Sequence, residues 1–318
     1  MRENRYTLFA DFLKFRASKG SGAASLPSWP PMPSTLRDYV MNREIDILLS
    51  PQRVIDDGDM LLYRALPSQN RKSVGPFVFI DHYRHRSRRG IGDSPHPHAG
   101  IEVLSYLLEG GVDHRDSMGF RDRLGPGDAQ WIRAGRGILH AEQPLGGRHG
   151  LQLWTSLPPA QKFAEPTYAS YRAADIPEIH HLGARVRVIA GSIEDIVGPM
   201  ALATPSVFAH VQLDAGATVT LGVDEFAELG LYVLEGSVEI GTAQPVIPGE
   251  LAVLTSGARV VLAAANDRST TAALIGGQPV QGPILFSGPF VMDTPERLLQ
   301  AKQDYLAGKM GRLEGVPF

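Results

Sequence analysis

The chain has 318 residues, of which 43% are hydrophobic, so it is long enough to form two domains of ordinary size with buried cores. Its formal net charge of −3 gives no general attraction to a polyanion, and direct nucleic-acid binding is therefore not expected. No apolar run approaches the roughly 18 residues that span a bilayer, and no signal-peptide core is evident, which predicts a soluble, cytoplasmic protein without a membrane partner.

The first 40 residues differ from the rest of the chain in residue pattern and composition. Leu8, Phe12 and Phe15 recur at helical spacing and predict an amphipathic helix. Residues 17–35 are rich in Gly, Ser, Ala and Pro, which is typical of a linker or an extended arm. We therefore expect residues 1–40 to form a helix and an arm that precede the main fold.

From Asp46 onward, short apolar runs are interrupted roughly every 8 to 12 residues by Gly, Pro and Asp, a pattern typical of an all-β sandwich or barrel. Residues 74–81 and 101–108 are two of the predicted strands. Near the end, Thr294 is a predicted N-cap, Pro295 and Glu296 suit a first helical turn, and Gly308 is a stop. These signals predict a short C-terminal helix that extends through Tyr305.

An internal repeat divides the β region. The run Tyr-Leu-Leu-Glu-Gly at 106–110 recurs as Tyr-Val-Leu-Glu-Gly at 232–236, an offset of 126 residues. The run Pro-Gly-Asp at 126–128 recurs as Pro-Gly-Glu at 248–250, an offset of 122 residues. Nearly equal offsets predict two copies of one antiparallel barrel, and we place the two domains at 41–175 and 176–318.

Two short clusters predict a metal site in the first copy. His96 and His98 lie two residues apart, as do His140 and Glu142, and residues two apart on a strand share a face. Three imidazoles and one carboxylate suit Fe, Mn, Co, Ni, Cu or Zn. Because the chain has no cysteine, any bound metal must use histidine and carboxylate ligands.

The repeat bears on the choice of carboxylate, since Glu102 also lies on the strand face of His98 and could replace Glu142. The counterpart of Glu102 in the second copy is Glu228, whereas the four predicted ligands correspond to non-ligating or isolated residues, namely Gly222, Asp224, Leu262 and Ala264. An acid retained without imidazoles favours a structural role, so the sequence favours Glu142 as the ligand. It also predicts that the second copy binds no metal in this way.

Longer motifs carry a family resemblance. The segments 95–102, 109–117, 126–131 and 134–142, with Gly-Pro-Phe-Val-Met-Asp-Thr at 288–294, resemble the pirin family of the cupin superfamily over about residues 45 to 312. The resemblance implies an all-β bicupin, with two tandem jelly-roll barrels and a short C-terminal helix. It also implies one iron ion, as Fe2+, held by His96, His98, His140 and Glu142. Gly135 and Pro144 depart from the general cupin pattern, which has proline and asparagine there.

The resemblance leaves two functions open. Some family members are quercetin 2,3-dioxygenases, which implies a flavonol and O2 as substrates, with Glu142 as the catalytic base when it swings off the metal. Others are regulatory proteins in which the oxidation state of iron controls binding to a protein partner. A purely structural role for the metal is a third interpretation, and an open coordination position argues against it.

The residues around the ligand clusters also have predicted positions. The second ligand cluster is flanked by three arginines, Arg133, Arg136 and Arg148, which could form a docking surface or could simply be solvated loop residues. The sequence predicts that His114 and Asp116 lie in a hairpin loop near the barrel mouth, where Asp116 stabilises a turn. Gln130 and Trp131 alternate along a predicted strand, so at most one of them faces the metal.

Overall fold

The computed structural model describes residues 42–86, 92–223, 226–241 and 243–316. The predicted N-terminal helix and arm lie outside these residues. Within the described ranges the regular structure is mostly β-strand, with one α-helix near the C-terminal end. No helix among the described residues is both long enough and apolar enough to cross a membrane.

The strands of the first half are β1 (Ile45–Leu49), β2 (Gln52–Asp56), β3 (Met60–Leu66), β4 (Phe77–His85), β5 (His96–His98), β6 (Ile101–Asp116), β7 (Arg121–Leu124), β8 (Ala129–Arg133), β9 (Ile138–Ser156) and β10 (Thr167–Tyr171). Those of the second half are β11 (Glu178–His181), β12 (Ala184–Ala190), β13 (Ser192–Ile193), β14 (Ile196–Val197), β15 (Ser206–Leu213), β16 (Thr218–Gly222), β17 (Glu228–Glu235), β18 (Val238–Ile240), β19 (Leu251–Leu254), β20 (Arg259–Ala264), β21 (Thr270–Gly277), β22 (Leu285–Ser287) and β23 (Phe290–Met292). Short 3-10 turns span Pro159–Gln161 and Ala173–Asp175. Helix α1 spans Pro295–Leu306.

The strands form two large antiparallel sheets. One has nine strands, with the order β10-β8-β6-β9-β4-β3-β2 and with β5 and β7 paired to β9 and β6. The other has seven strands, in the order β1-β19-β17-β21-β15-β12-β11, and is accompanied by the three-stranded sheet β16-β20-β18. Strand β1 therefore pairs with the sheet of the second half. The two-barrel bicupin fold predicted from the sequence is confirmed, whereas the exact domain bounds stay a prediction.

The repeated motifs form equivalent turns. In the first copy the Gly125 N–H donates to the Asp128 carboxylate at 2.9 Å, and in the second the Ile247 N–H donates to the Glu250 carboxylate at 3.0 Å. Gly127 and Gly249 both have positive φ, 80° and 89°, which explains why glycine occupies this position twice. The repeat therefore marks a repeated backbone structure.

The three largest clusters of buried side chains form most of the core. The second barrel is filled by aliphatic residues such as Val188, Leu231 and Leu262. The first barrel has a smaller apolar cluster around Val103 and Trp154. A third cluster combines residues of both large sheets and therefore joins the two barrels. The apolar cluster of the first barrel is smaller, and buried polar residues such as His98, His140 and Glu142 occupy part of its interior.

The C-terminal helix begins as predicted. The Thr294 side chain accepts a hydrogen bond from the Arg297 N–H at 3.2 Å, and Pro295 occupies the first turn. Gly308 follows the helix with a φ of 71°, a left-handed conformation that terminates the helical backbone. The predicted helix through Tyr305 is confirmed to within one residue.

Candidate metal centre

Strands β5 and β9 bring the three predicted histidine ligands together. The antiparallel register places His96 opposite His140 and His98 opposite Ile138. The ring centroids of His96 and His98 are 5.0 Å apart, and that of His140 lies 4.3 Å from His96 and 4.9 Å from His98. One potential ligand atom from each residue lies within 4.8 Å of the others. The two-residue spacing of the ligand pairs thus correctly predicted that the three imidazoles converge.

Glu142 lies one position further along the same face of β9. Its Oε1 is 3.6 Å from His140 Nδ1, and the two residues belong to a second group of potential ligands that also contains His114. Its Oε2 accepts a hydrogen bond from Arg148 at 2.7 Å, and its Oε1 accepts one from the Gln130 amide. All four predicted residues therefore line one buried region of the first barrel. Their assignment as ligands of a single ion stays a prediction.

The hydrogen bonding of the imidazoles fits a metal ion. Both ring nitrogens of His98 and His140 are buried and make no well-formed hydrogen bond within the described part of the chain. Leaving such a group unsatisfied costs about 1–3 kcal/mol, a cost that metal coordination would remove. His96 Nδ1 donates to the Ser94 carbonyl at 2.9 Å, which leaves its Nε2 lone pair free. The residues present therefore fit a divalent transition metal.

The electrostatics favour the ligand forms of these side chains. Burial lowers the pKa of His98 and His140 well below the ordinary value for histidine, and the neighbouring His96 adds to the effect. Both imidazoles are therefore neutral at pH 7, as a metal ligand must be. For Glu142, burial raises the pKa, but the adjacent Arg148 together with His114 and His96 outweighs that effect, so the net pKa is lowered. Glu142 is consequently a carboxylate at neutral pH.

Arg148 does not lie on the surface, contrary to the expectation that grouped it with two loop arginines. It is 5% exposed, its guanidinium lies 4.6 Å from the Tyr83 ring centre, and it pairs with Glu142. Arg133 and Arg136 do lie in more accessible positions, where both hydrogen-bond to Glu165. Arg148 therefore belongs to the metal centre, where it compensates the buried charge of Glu142.

Glu102, the alternative carboxylate, has a different role. Its oxygens accept hydrogen bonds from Trp131 Nε1 at 3.0 Å, Thr155 Oγ1 at 2.7 Å and the Ala203 N–H at 3.1 Å. The predicted hydrogen-bonding role of Glu102 is confirmed. The alternation along β8 is confirmed as well, because Gln130 faces Glu142 while Trp131 faces Glu102.

His114 lies beside the predicted ligands, which was not expected from the sequence. Strand β6 continues to Asp116, so His114 and Asp116 lie on a strand and are buried, and the predicted hairpin loop is wrong at this point. His114 is paired with Glu142 across β6 and β9. Asp116 does stabilise the following turn, because its Oδ1 accepts from the Met118 and Phe120 N–H groups. The two-residue spacing of His114 and Asp116 was a signal that could have revealed them.

The corresponding region of the second barrel is apolar. Leu262 and Ala264, the counterparts of His140 and Glu142, belong to its aliphatic core. Gly222 ends β16, and Asp224 lies outside the described residues. The candidate centre is therefore in the first barrel.

Two antiparallel barrels with a buried cluster of imidazoles and carboxylate in one of them define a bicupin protein with a candidate metal centre. The comparisons with known proteins narrow this class. Residues 60–155 match the Pirin family model, and residues 208–311 match the Pirin C-terminal cupin domain, together more than half of the chain. The chain belongs to the pirin family.

Three relatives illustrate the range of similarity. Human pirin is 36% identical over 254 residues, covering 78% of this chain and 87% of that protein. A Vibrio cholerae protein provisionally named a quercetin 2,3-dioxygenase is 35% identical over 269 residues, covering 81% and 94%. The crystal structure of a quercetin 2,3-dioxygenase from Acinetobacter baumannii has a TM-score of 0.78 and 30% identity, covering 85% of this chain and 99% of that one.

Proposed function

We propose that this chain is a cytoplasmic, pirin-like iron-dependent dioxygenase that cleaves quercetin or a related flavonol at a centre formed by His96, His98, His140 and Glu142. The observation that carries the proposal is the convergence of three imidazoles beside an ionised carboxylate, and two of those imidazoles, His98 and His140, make no well-formed hydrogen bond among the described residues. Relatives named quercetin 2,3-dioxygenase support the substrate class.

The reaction joins one flavonol and one O2 and yields a depside and carbon monoxide. A bound iron ion would supply a Lewis acid that acidifies the flavonol hydroxyl, and an open position for an oxygen ligand. In this chain Glu142 would accept the proton of the 3-hydroxyl, as a carboxylate already ionised at pH 7. Arg148 and Gln130 donate to its two oxygens, so they would keep Glu142 close to the ion when it swings off the metal to accept that proton.

The direction of substrate entry follows from burial. His98, His140 and Glu142 are each at most 3% exposed, whereas His96 is partly exposed. A flavonol would therefore approach from the side of His96. Two cavities of about 480 and about 290 Å³ near Arg84 and His149 have no predicted ligand in their lining. Catalysis would thus require that the centre open at His96 to admit a three-ring substrate.

This enclosure favours a second candidate function, a redox-sensing regulatory protein that acts through a protein partner. A buried ion that changes between Fe(II) and Fe(III) alters the charge of the centre by one unit. That change would be felt through Glu142 and Arg148, which are paired at 2.7 Å. The affinity of the partner would then depend on the oxidation state of the iron, although the partner does not contact the ion.

Metal-reconstituted protein tests the first function. Protein loaded separately with Fe(II), Mn(II), Co(II), Ni(II), Cu(II) or Zn(II) is incubated with quercetin, with and without O2. We expect O2-dependent loss of the flavonol absorbance, with the depside and carbon monoxide as products. Glu102→Gln is a matched control, because it removes a buried charge outside the ligand cluster. If quercetin persists with every metal, the dioxygenase proposal fails.

A pull-down separates the two functions. The ferrous, ferric and His96→Ala forms of the protein are used as bait under identical conditions. The regulatory function predicts a partner whose capture differs among the three forms. Capture of the same partners by all three would rule out the redox-sensing alternative.

A further inference from the structure

A second group of potential ligands overlaps the first in the same barrel. One ligand atom from each of His114, His140 and Glu142 lies within 4.8 Å of the others. The β6–β9 register places His114 opposite Glu142, and all three side chains are buried. We propose that these residues form a second binding position for a divalent transition metal, which shares His140 and Glu142 with the centre that His96 and His98 complete. The inference rests on the metal centre of the proposed function.

The His114 ring is held in the orientation that a ligand requires. Its Nε2 lies 3.2 Å from Asp116 Oδ2, while the other oxygen of Asp116 is fixed by two backbone N–H groups. The ring also stacks on Tyr168, with centroids 4.4 Å apart and planes at 17°. A carboxylate on one ring nitrogen is the usual support of a metal-binding histidine. His114 has this support before any metal is considered.

The remaining nitrogen of His114 has no other assigned use. Its Nδ1 is buried and has no hydrogen-bond partner within the described ranges, and the residue is 1% exposed. With the Nε2 proton donated to Asp116, the Nδ1 atom carries a lone pair. A buried lone pair without a donor costs free energy, and a metal ion would satisfy it. Asp116 and the unpartnered nitrogen thus point independently to a ligand role.

His140 lies between the two groups. Its ring centroid is 4.3 Å from that of His96 and 5.7 Å from that of His114. Neither of its nitrogens has a hydrogen-bond partner in the part of the chain that the structure describes. Glu142 also keeps capacity for an ion, because each carboxylate oxygen has two lone pairs and each accepts one hydrogen bond described above.

The two positions differ in chemistry. The first position has three imidazoles and the Glu142 carboxylate, whereas the second has two imidazoles and that same carboxylate. Two histidines and a carboxylate are the ligand set of many non-haem Fe(II) oxygenases, in which the other coordination positions stay open. The second position therefore suits Fe(II) and, by the same ligand chemistry, Co(II). An ion there would leave the side of His96 and His98 available to other groups.

Co(II) binding to metal-free protein tests the proposal through affinity and the visible absorption spectrum. The double variant His96→Ala/His98→Ala disables the first position. We expect it to bind one Co(II), more weakly than the native chain and with a shifted spectrum. Adding His114→Ala should weaken binding at least a further tenfold and abolish that spectrum. His114→Gln, tested in the same background, should have the same effect if the alanine variant does not fold.

His85 provides the matched control. It is a buried histidine of the same barrel whose two ring nitrogens lack partners among the described residues, but it belongs to neither ligand group. Adding His85→Ala to the double variant should leave Co(II) affinity and spectrum unchanged. Circular dichroism of each metal-free variant confirms that the fold is retained.

Two results would overturn the proposal. One is a double variant that binds no Co(II), and the other is a triple variant with His114→Ala that binds it as well as the double. Both concern metal binding rather than turnover. If the native chain cleaves no quercetin with any metal while the double variant still binds Co(II), the dioxygenase is refuted and the second position stays supported.

Discussion

The buried ion pair of Arg148 and Glu142 allows a quantitative prediction. The two side chains are 5% and 3% exposed as residues, and their charged atoms lie 2.7 Å apart. At an effective permittivity of about 20, that separation corresponds to an attraction of about 6 kcal/mol, much of which offsets the cost of burying two charges. In Arg148→Met the carboxylate stays buried without its partner. We expect the metal-free variant to be less stable by about 3–5 kcal/mol.

A double-mutant cycle isolates the pair. Glu142→Gln/Arg148→Met removes both charges, so it should be destabilised by clearly less than the sum of the two single variants. Urea denaturation of metal-free protein at pH 7, followed by tryptophan fluorescence, gives the four free energies of unfolding. Adding Co(II) should stabilise Arg148→Met more than the native chain, because the cation replaces the lost charge beside Glu142.

The exposed ion pair of Arg136 and Glu165, at 2.9 Å, is the control. Arg136→Met should cost about 1 kcal/mol or less, because solvent screens an exposed pair. Strict additivity of the Arg148 and Glu142 variants would refute the argument, since it would mean that the two charges do not stabilise one another.

Three further predictions concern the carboxylates, pH and the second barrel. Glu142→Ala should lower metal affinity at least tenfold, whereas Glu102→Ala should retain its metal. Elemental analysis of both variants shows which carboxylate is the ligand, and full metal occupancy in Glu142→Ala would overturn the assignment of Glu142. Burial lowers the pKa of His210 from 6.5 to about 4, so its contribution to stability is complete above pH 6.5 and is lost as pH falls towards 4. This loss amounts to about 2 kcal/mol between pH 7 and 5. His210→Gln should reduce the pH dependence of the free energy of unfolding, measured with urea, by that amount. An unchanged pH dependence would contradict a lowered pKa for His210. Leu262→Ala should cost about 2–5 kcal/mol of stability without changing metal content, and a loss of metal in folded protein would show that the barrels are coupled.

The sequence predicted the fold through its repeat and the first ligand group through its spacing. Both signals are local, since a turn sequence such as Pro-Gly-Asp and a two-residue spacing on a strand directly reflect backbone geometry. The same local logic failed at Gly110 and Gly111. Two glycines after Glu109 are typical of a hairpin turn, but here they lie within β6, at shifts of the β6–β9 register. The strand therefore continues, and His114 and Asp116 were misplaced in a loop.

Arg148 illustrates the same difficulty from the other strand. It lies an even number of residues from His140 and Glu142, so alternation along β9 would have placed it on their face. Gly146 and Gly147 precede it and suggested a loop, in which an arginine is normally solvated. The structure shows that β9 runs through both glycines to Ser156. Whether a glycine pair ends a strand depends on its partner strand, which the sequence alone does not reveal.

The residues shared by the two copies hold the barrels together. The Tyr106 hydroxyl is hydrogen-bonded to His210 Nδ1 at 3.1 Å, and the hydroxyl of its counterpart Tyr232 is hydrogen-bonded to His82 Nδ1 at 3.2 Å. Each tyrosine therefore contacts a histidine of the other barrel. Both tyrosines belong to the apolar cluster that the two large sheets share.

The two equivalent glutamates follow the same pattern. Glu102 of the first sheet accepts from the Ala203 N–H at 3.1 Å, in the loop before β15. Glu228 of the second sheet accepts from the Gly75 N–H at 2.7 Å, before β4. A residue that holds the two barrels against each other is needed in both copies, whereas a metal ligand is needed only in the copy that binds the metal. The repeated glutamate is therefore explained by the interface, and the unrepeated imidazoles and Glu142 are the residues that distinguish the first barrel chemically.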